Sequence, residues 1–300
     1  MFVVKYAKLW FGLGILFIIA SIVSLSVFGL QLGPDFTGGN VLEILVPAET
    51  SRQNIAEALI DQEIQPNIIS QTGDTTFRLE FPPLDEAEEQ QILTALEESL
   101  TEEDENLSVV SRSTISPTVG AELRNRSLGA IAMVILVIVL FITYVFRKNS
   151  RPVPSFYYGL AAIIALIHDV LIPVGIFAVL SAMGILTIDL LFIVALLSIL
   201  GTSVNDTIVV FDRVRENLRK GSSDEFEAVV GKSISQTLMR SINTSLTLFV
   251  VLVSIVIFGG QTIQFFALAL AIGVVSGTYS SIFIAVPFVI FVHRWKFRVQ

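Results

Sequence analysis

Residues 241–293 read SINTSLTLFVVLVSIVIFGGQTIQFFALALAIGVVSGTYSSIFIAVPFVIFVH, and no Asp, Glu, Lys or Arg interrupts them. A bilayer core of ~30 Å is crossed by ~20 apolar residues of helix, so this stretch is too long for one crossing and holds two. Phe258-Gly259-Gly260-Gln261 supplies the turn between them. The same reading, carried outward, predicts six transmembrane spans: 9–30, 127–146, 156–182, 187–211, 236–258 and 262–292. Span one follows Lys5 and Lys8 and is too long for the apolar region of a cleaved signal peptide, so it reads as an uncleaved anchor. Residues 212–235, rich in charge, read as a loop between spans four and five.

Composition agrees. Hydrophobic residues make up 53% of the chain and charged residues only 15%, with a mean hydropathy of +0.75. Soluble domains carry nearer a quarter charged residues. A soluble enzyme, a disordered chain and a basic nucleic-acid-binding protein are therefore excluded. There is no cysteine and there are two histidines. Disulfides, thiolate metal sites and cysteine nucleophiles drop out, and neither a metal nor a cofactor is expected. No Ser–His–acid set, Walker loop or HExxH helix is present.

The net charge of −8 is unevenly spread. Residues 31–126 contain 19 acidic residues against five arginines and no lysine. The remainder is basic, and its basic residues sit beside the spans. Lys5 and Lys8 precede span one; Arg147, Lys148 and Arg151 lie between spans two and three. Arg213, Arg215, Arg219, Lys220 and Lys232 lie between spans four and five; Arg294, Lys296 and Arg298 follow span six. With six spans all four segments fall on one side, which the positive-inside rule makes the cytoplasm. Both termini are then expected in the cytoplasm, and residues 31–126 outside it.

That insert has the length of a small domain. Val41–Val46 reads as a strand and 52–62 as a helix capped by Thr50 or Ser51. Ile64–Ser70 reads as a strand, and Thr76–Phe81 as a strand with period-two alternation. Glu86–Leu100 is a second helix and Leu107–Val110 a last strand. The order βαββαβ is the ferredoxin-like split motif, a fold that specifies no single function. The acidic run Glu97–Glu105 reads as a solvated helix end and loop.

Ionisable groups inside a span are costly and point to function. His168 and Asp169 fall in span three, Asp206 in span four and Arg240 at the start of span five. At 1.5 Å per residue, Asp206 lies ~10 Å and Arg240 ~12 Å from the charged ends of their spans, so the two are expected to meet. Thr202, Asn205 and Asp206 share a face of span four, and Arg240 and Thr244 a face of span five. These residues read as a proton or cation relay with a supporting polar face; the alternative is an ion pair that only locks helices. Ala269, Gly273, Gly277 and Ser281 repeat at four-residue steps on span six, a close-packing pattern.

Motifs now identify a family. Leu32-Gly33-Pro34-Asp35-Phe36-Thr37-Gly38-Gly39 resembles the G-x-D-F-x-G-G signature of the SecD/SecF protein-export subunits, through Gly33, Asp35, Phe36, Gly38 and Gly39. Gly201–Asn217, with Asn205-Asp206 at its centre, resembles the span-four signature of the SecF branch. His168-Asp169-Val170, Gln236–Ser241 and Phe258-Gly259-Gly260 also match, so the resemblance covers nearly the whole chain. One departure is Thr202, where the family has tyrosine; a hydroxyl remains.

The resemblance implies a six-helix half of a resistance-nodulation-division type unit in the bacterial cytoplasmic membrane. SecD would be the other half. The pair would associate with the SecYEG channel and promote late export of unfolded preproteins, after the SecA ATPase step, using the proton-motive force. Asp206 and Arg240 fall on the family's proton-path positions. Two other readings stay open: a half-transporter exporting a lipid or small amphiphile, and a passive scaffold of the export channel.

Overall fold

The computed structural model describes residues 2–60, 65–100, 107–146, 153–220 and 225–297. Among these described residues, six helices are long and apolar enough to cross a membrane. They run Ala7–Phe28, Pro117–Phe146, Ser155–Ala182, Leu190–Arg219 and Phe226–Phe258, and a last composite begins at Gln261. Three exceed their apolar runs. Span two begins ten residues early, span four continues to Arg219, and span five begins at Phe226.

The expected loop 212–235 is therefore largely helical, and only 221–224 fall outside the described residues. The reason is side-chain pairing. Arg213 and Lys220 both pair with Glu216 at helical spacing, the latter at 2.7 Å, which supports helix outside the apolar region. Across the two helices, Asn217 Nδ2 donates to Ser233 Oγ at 2.8 Å and to Gln236 at 2.9 Å. Of the flanking basic residues, Arg147, Lys148, Arg151 and Arg298 lie outside the described residues.

Span six lies at the centre, packed on spans three, four and five. Small residues allow this. A Cβ on Gly273 would stand 2.2 Å from Ile199 of span four, and one on Gly277 would stand 3.3 Å from Ser203. The stripe of small residues thus serves close helix approach, as expected. Beyond Ser280 the helix widens into a π turn, Ser281–Ala285, and resumes as Val286–Val292. Pro287 explains the turn: it donates no N–H and crowds the carbonyl of Phe283, so the regular ladder cannot pass through it.

The insert forms strands β1 (Gly39–Leu45), β2 (Ile68–Gln71), β3 (Thr76–Phe81) and β4 (Ser108–Ile115), with helices Arg52–Ala58 and Glu86–Leu100 between them. The all-antiparallel order β2-β3-β1-β4 is the ferredoxin-like arrangement. Alternation on β1 and β3 buries Leu42, Ile44, Phe77 and Leu79 against Ile55, Ile92 and Leu96 of the two helices. Each such side chain contributes ~1.5–3 kcal/mol. Helix one is shorter than expected and β4 is longer. Residues 61–64 and 101–106, which include most of the acidic run, lie outside the described residues.

Gly38, at φ +77° against Pro117, and Gly39 close the domain onto its stem. Gly39 has φ +151°, and a Cβ there would lie 2.3 Å from the Phe81 carbonyl oxygen. Gly39→Val therefore cannot be accommodated by a rotamer change. It is expected to destabilise the inserted domain by ~3 kcal/mol, combining backbone strain with a lost ladder contact. Limited proteolysis of the full-length protein, read as cleavage within residues 39–115, measures this.

Candidate functional site

Each polar group in the membrane region has a definite position. Span four carries Asp206 two turns above Arg213, and span five runs antiparallel beside it. Arg213 Nε donates to Gln236 Oε1 at 2.7 Å, which fixes the register of the two helices. Asp206 is partly buried and lines a cavity of about 220 Å³ between spans four, five and six. Ser245 Oγ of span five approaches its Oδ2 at 3.5 Å, and Thr278 Oγ1 of span six donates to Ser245 at 2.7 Å. The carboxylate thus ends a short chain of hydroxyls.

Arg240 does not reach it. Its side chain is exposed, and no ion pair joins it to Asp206 among the described residues. Similar depth does not bring the two together, because the register of the helices differs: Asp206 meets Ser245, five residues or ~7.5 Å along span five beyond Arg240. Thr202, Asn205 and Thr244 are exposed as well. Thr202 and Thr244 return their hydroxyls to carbonyls of their own helices, at 3.1 Å to Ile199 and 2.9 Å to Arg240. Spans four and five therefore present a polar face that no other described part of the chain covers, and the Asp206 cavity lies beside it.

Behind that cavity sits a second acid. Asp169 is fully buried. His168 Nδ1 lies 2.8 Å from its Oδ1, and Ser280 Oγ donates to its Oδ2 at 2.6 Å. Ser203 Oγ of span four donates to the same Oδ2. The cluster borders the Asp206 cavity directly: Ser203, which donates to Asp169, also lines the cavity, as does Gly277, on which a Cβ would lie 3.7 Å from Asp169 Oδ2. The His168 ring stacks on Tyr279, with centroids 5.7 Å apart, and its Nε2 has no hydrogen-bond partner among the described residues. Pro173 adds a further feature. It lies four residues beyond Asp169 in the same helix and donates no N–H, so the Asp169 carbonyl lacks its helical partner. Ser276 Oγ of span six stands 3.5 Å from that carbonyl.

The sequence reading missed Ser203, Ser245, Thr278 and Ser280. The available signal was the Ser276/Ser280 pair at helical spacing on span six, beside the glycine stripe.

The family turn forms a joint. Pro34–Thr37 is a single helical turn with Gly33 before it. Gly33 N–H donates to the Ile188 carbonyl at 2.9 Å, and Ile188 N–H to the Gln31 carbonyl at 2.8 Å. Asp35 Oδ2 accepts from the backbone N–H of Leu190 at 2.9 Å. Phe36 is buried among Phe177, Ile188 and Phe192. Gly38, at φ +77°, lies against Pro117 at the start of span two. Among the described residues, no group of three or more His, Cys, Asp or Glu side chains could hold a metal ion.

Comparison with known proteins places these features in a family. Residues 95–295 match the family model described as protein export membrane protein SecD/SecF, C-terminal. The protein translocase subunit SecF of Thermobaculum terrenum is 42% identical over 291 residues, covering 94% of this chain and 90% of that protein. The subunit of the same name from Anaerolinea thermophila is 35% identical, covering 93% and 90%. The crystal structure of SecDF, a translocon-associated membrane protein from Thermus thermophilus, superposes with a TM-score of 0.83 at 27% identity. It covers 97% of this chain, which spans 38% of that longer one.

Proposed function

Since this chain belongs to the SecD/SecF family of protein-export membrane proteins, we propose that it is the SecF-type subunit of a Sec translocase, coupling proton entry at Asp206 to late steps of preprotein export. Its partner is a SecD-type half, which covers the polar face of spans four and five. The SecYEG channel, the SecA ATPase and the unfolded preprotein are the other components. The basic residues flanking the spans favour cytoplasmic termini and an outer domain on the far side of the membrane.

The observation that carries this reading is the position of Asp206. It is a carboxylate within a span, beside a polar cavity, and its one close neighbour is a hydroxyl rather than a cation. Such a group binds a proton from one side and releases it to the other at modest cost. Neutral, it rests against Ser245. Ionised, it is drawn towards Arg240, which lies ~7.5 Å along span five from Ser245 and is met only when spans four and five shift against each other. His168 and Asp169 form a buried second station behind Gly277, and Thr202, Asn205 and Thr244 hydrate the opening.

The test is reconstitution of the full-length protein with a SecD-type partner, SecYEG and SecA in proteoliposomes. Export should rise when a proton gradient, acidic outside, is imposed, and fall back when it is collapsed. Export that ignores the gradient would leave only the scaffold reading.

A further inference from the structure

The outer domain is continuous in sequence with spans one and two and packs closely on the start of span two through Gly38 and Pro117, yet it is also hydrogen-bonded to the outer end of span four. Asp35 Oδ2 accepts from Leu190 N–H, the first residue of that helix, at 2.9 Å. Gly33 and Gln31 exchange backbone hydrogen bonds with Ile188. Thr187 Oγ1 donates to Glu80 of strand β3 at 2.8 Å. The fit has no slack, since a Cβ on Gly33 would stand 2.8 Å from Thr187 Oγ1. The first N–H groups of a helix lack internal partners and carry the positive end of its dipole, so a carboxylate there is held by both effects. From Leu190 to Asp206 the helix is unbroken and contains no proline, a rod of ~24 Å.

We propose that Asp35 is a positioning residue that fixes the outer domain to span four, so that the domain moves with the helix bearing Asp206. The proton step then reaches the outer domain through a rigid rod, and the stems of spans one and two follow. This rests on the relay reading of Asp206, and the experiments below separate the two.

In the reconstituted system, Asp35→Ala should lower gradient-stimulated export about fivefold or more, a usual size for a lost coupling, while proton uptake through the protein continues. Asp35→Asn keeps an acceptor oxygen and should retain most of the stimulation. Unchanged export by Asp35→Ala overturns the proposal. If Asp206→Asn also exports normally under the gradient, the relay reading fails as well; if Asp206→Asn is inactive, only the joint fails. A second experiment does not depend on how well Asp35→Ala folds. The chain has no cysteine, and a Cβ at position 33 would lie 3.3 Å from the Thr187 Cβ, close to the ~3.5–4.5 Å of a disulfide. Oxidised Gly33→Cys/Thr187→Cys protein should respond to the gradient as its reduced form does, because the joint does not open during the cycle. Loss of the response on oxidation, with recovery on reduction, would show that the joint opens and would overturn the proposal.

Discussion

Proteoliposomes carrying Asp206→Asn are expected to export preprotein at the rate seen without a gradient, whatever gradient is imposed. Asn has nearly the volume of Asp and still offers an oxygen to Ser245, so packing around the 220 Å³ cavity is preserved. What is lost is the single group there that can take up and release a proton. One charge moving through 100 mV supplies ~2.3 kcal/mol. That bounds the stimulation per proton at about fiftyfold, and Asn removes all of it. Partner binding and membrane insertion should persist, since the exposed face formed by Thr202, Asn205 and Thr244 is intact. Full gradient-stimulated export by this variant would eliminate the relay.

The second large effect is on stability. Asp169→Ala leaves the His168 imidazole and the Ser203 and Ser280 hydroxyls buried without their common acceptor. Intramembrane hydrogen bonds average only ~0.6 kcal/mol each. The larger cost is the desolvated His168 and Ser203 groups, since Ser280 can still donate to the Gly277 carbonyl at 3.2 Å, so the total expected loss is ~2–4 kcal/mol. Asp169→Asn keeps one acceptor and should cost less than half as much. Unfolding by sodium dodecyl sulfate in mixed micelles, followed by circular dichroism, orders the variants. Equal stability of Asp169→Ala and wild type would mean that the cluster is not an anchor.

The sequence made some of this legible and concealed the rest for physical reasons. Charge-free runs locate helices because lipid solvates no backbone, and period-two alternation locates β1 and β3 because a sheet buries one face. Helix ends are different. Beyond the lipid, the helices of spans four and five are held by pairs such as Lys220–Glu216 and Asn217–Ser233, which hydropathy reads as loop. Asp206 and Asp169 were conspicuous because a carboxylate in a span is expensive. Ser245, Thr278, Ser203 and Ser280 were not, because a hydroxyl can return to its own helix at little cost and so appears anywhere. Arg240 shows the limit of counting along a chain. Counting from the nearest charge puts Asp206 and Arg240 at similar depths, but the contact of Asp206 with Ser245 shows that register decides who meets whom.

Pro173 couples the buried acid to span six at a second point. By withholding one N–H it turns the Asp169 carbonyl towards span six, alongside the Asp169 side chain. Ser276 and Ser280, one helical turn apart, serve the two acceptors, so span six is held at one residue by two points of the same rigid helix. A sliding of span six past span three would therefore alter the surroundings of the Asp169 backbone and of its side chain together, and whatever moves that helix is felt by the buried acid at two points.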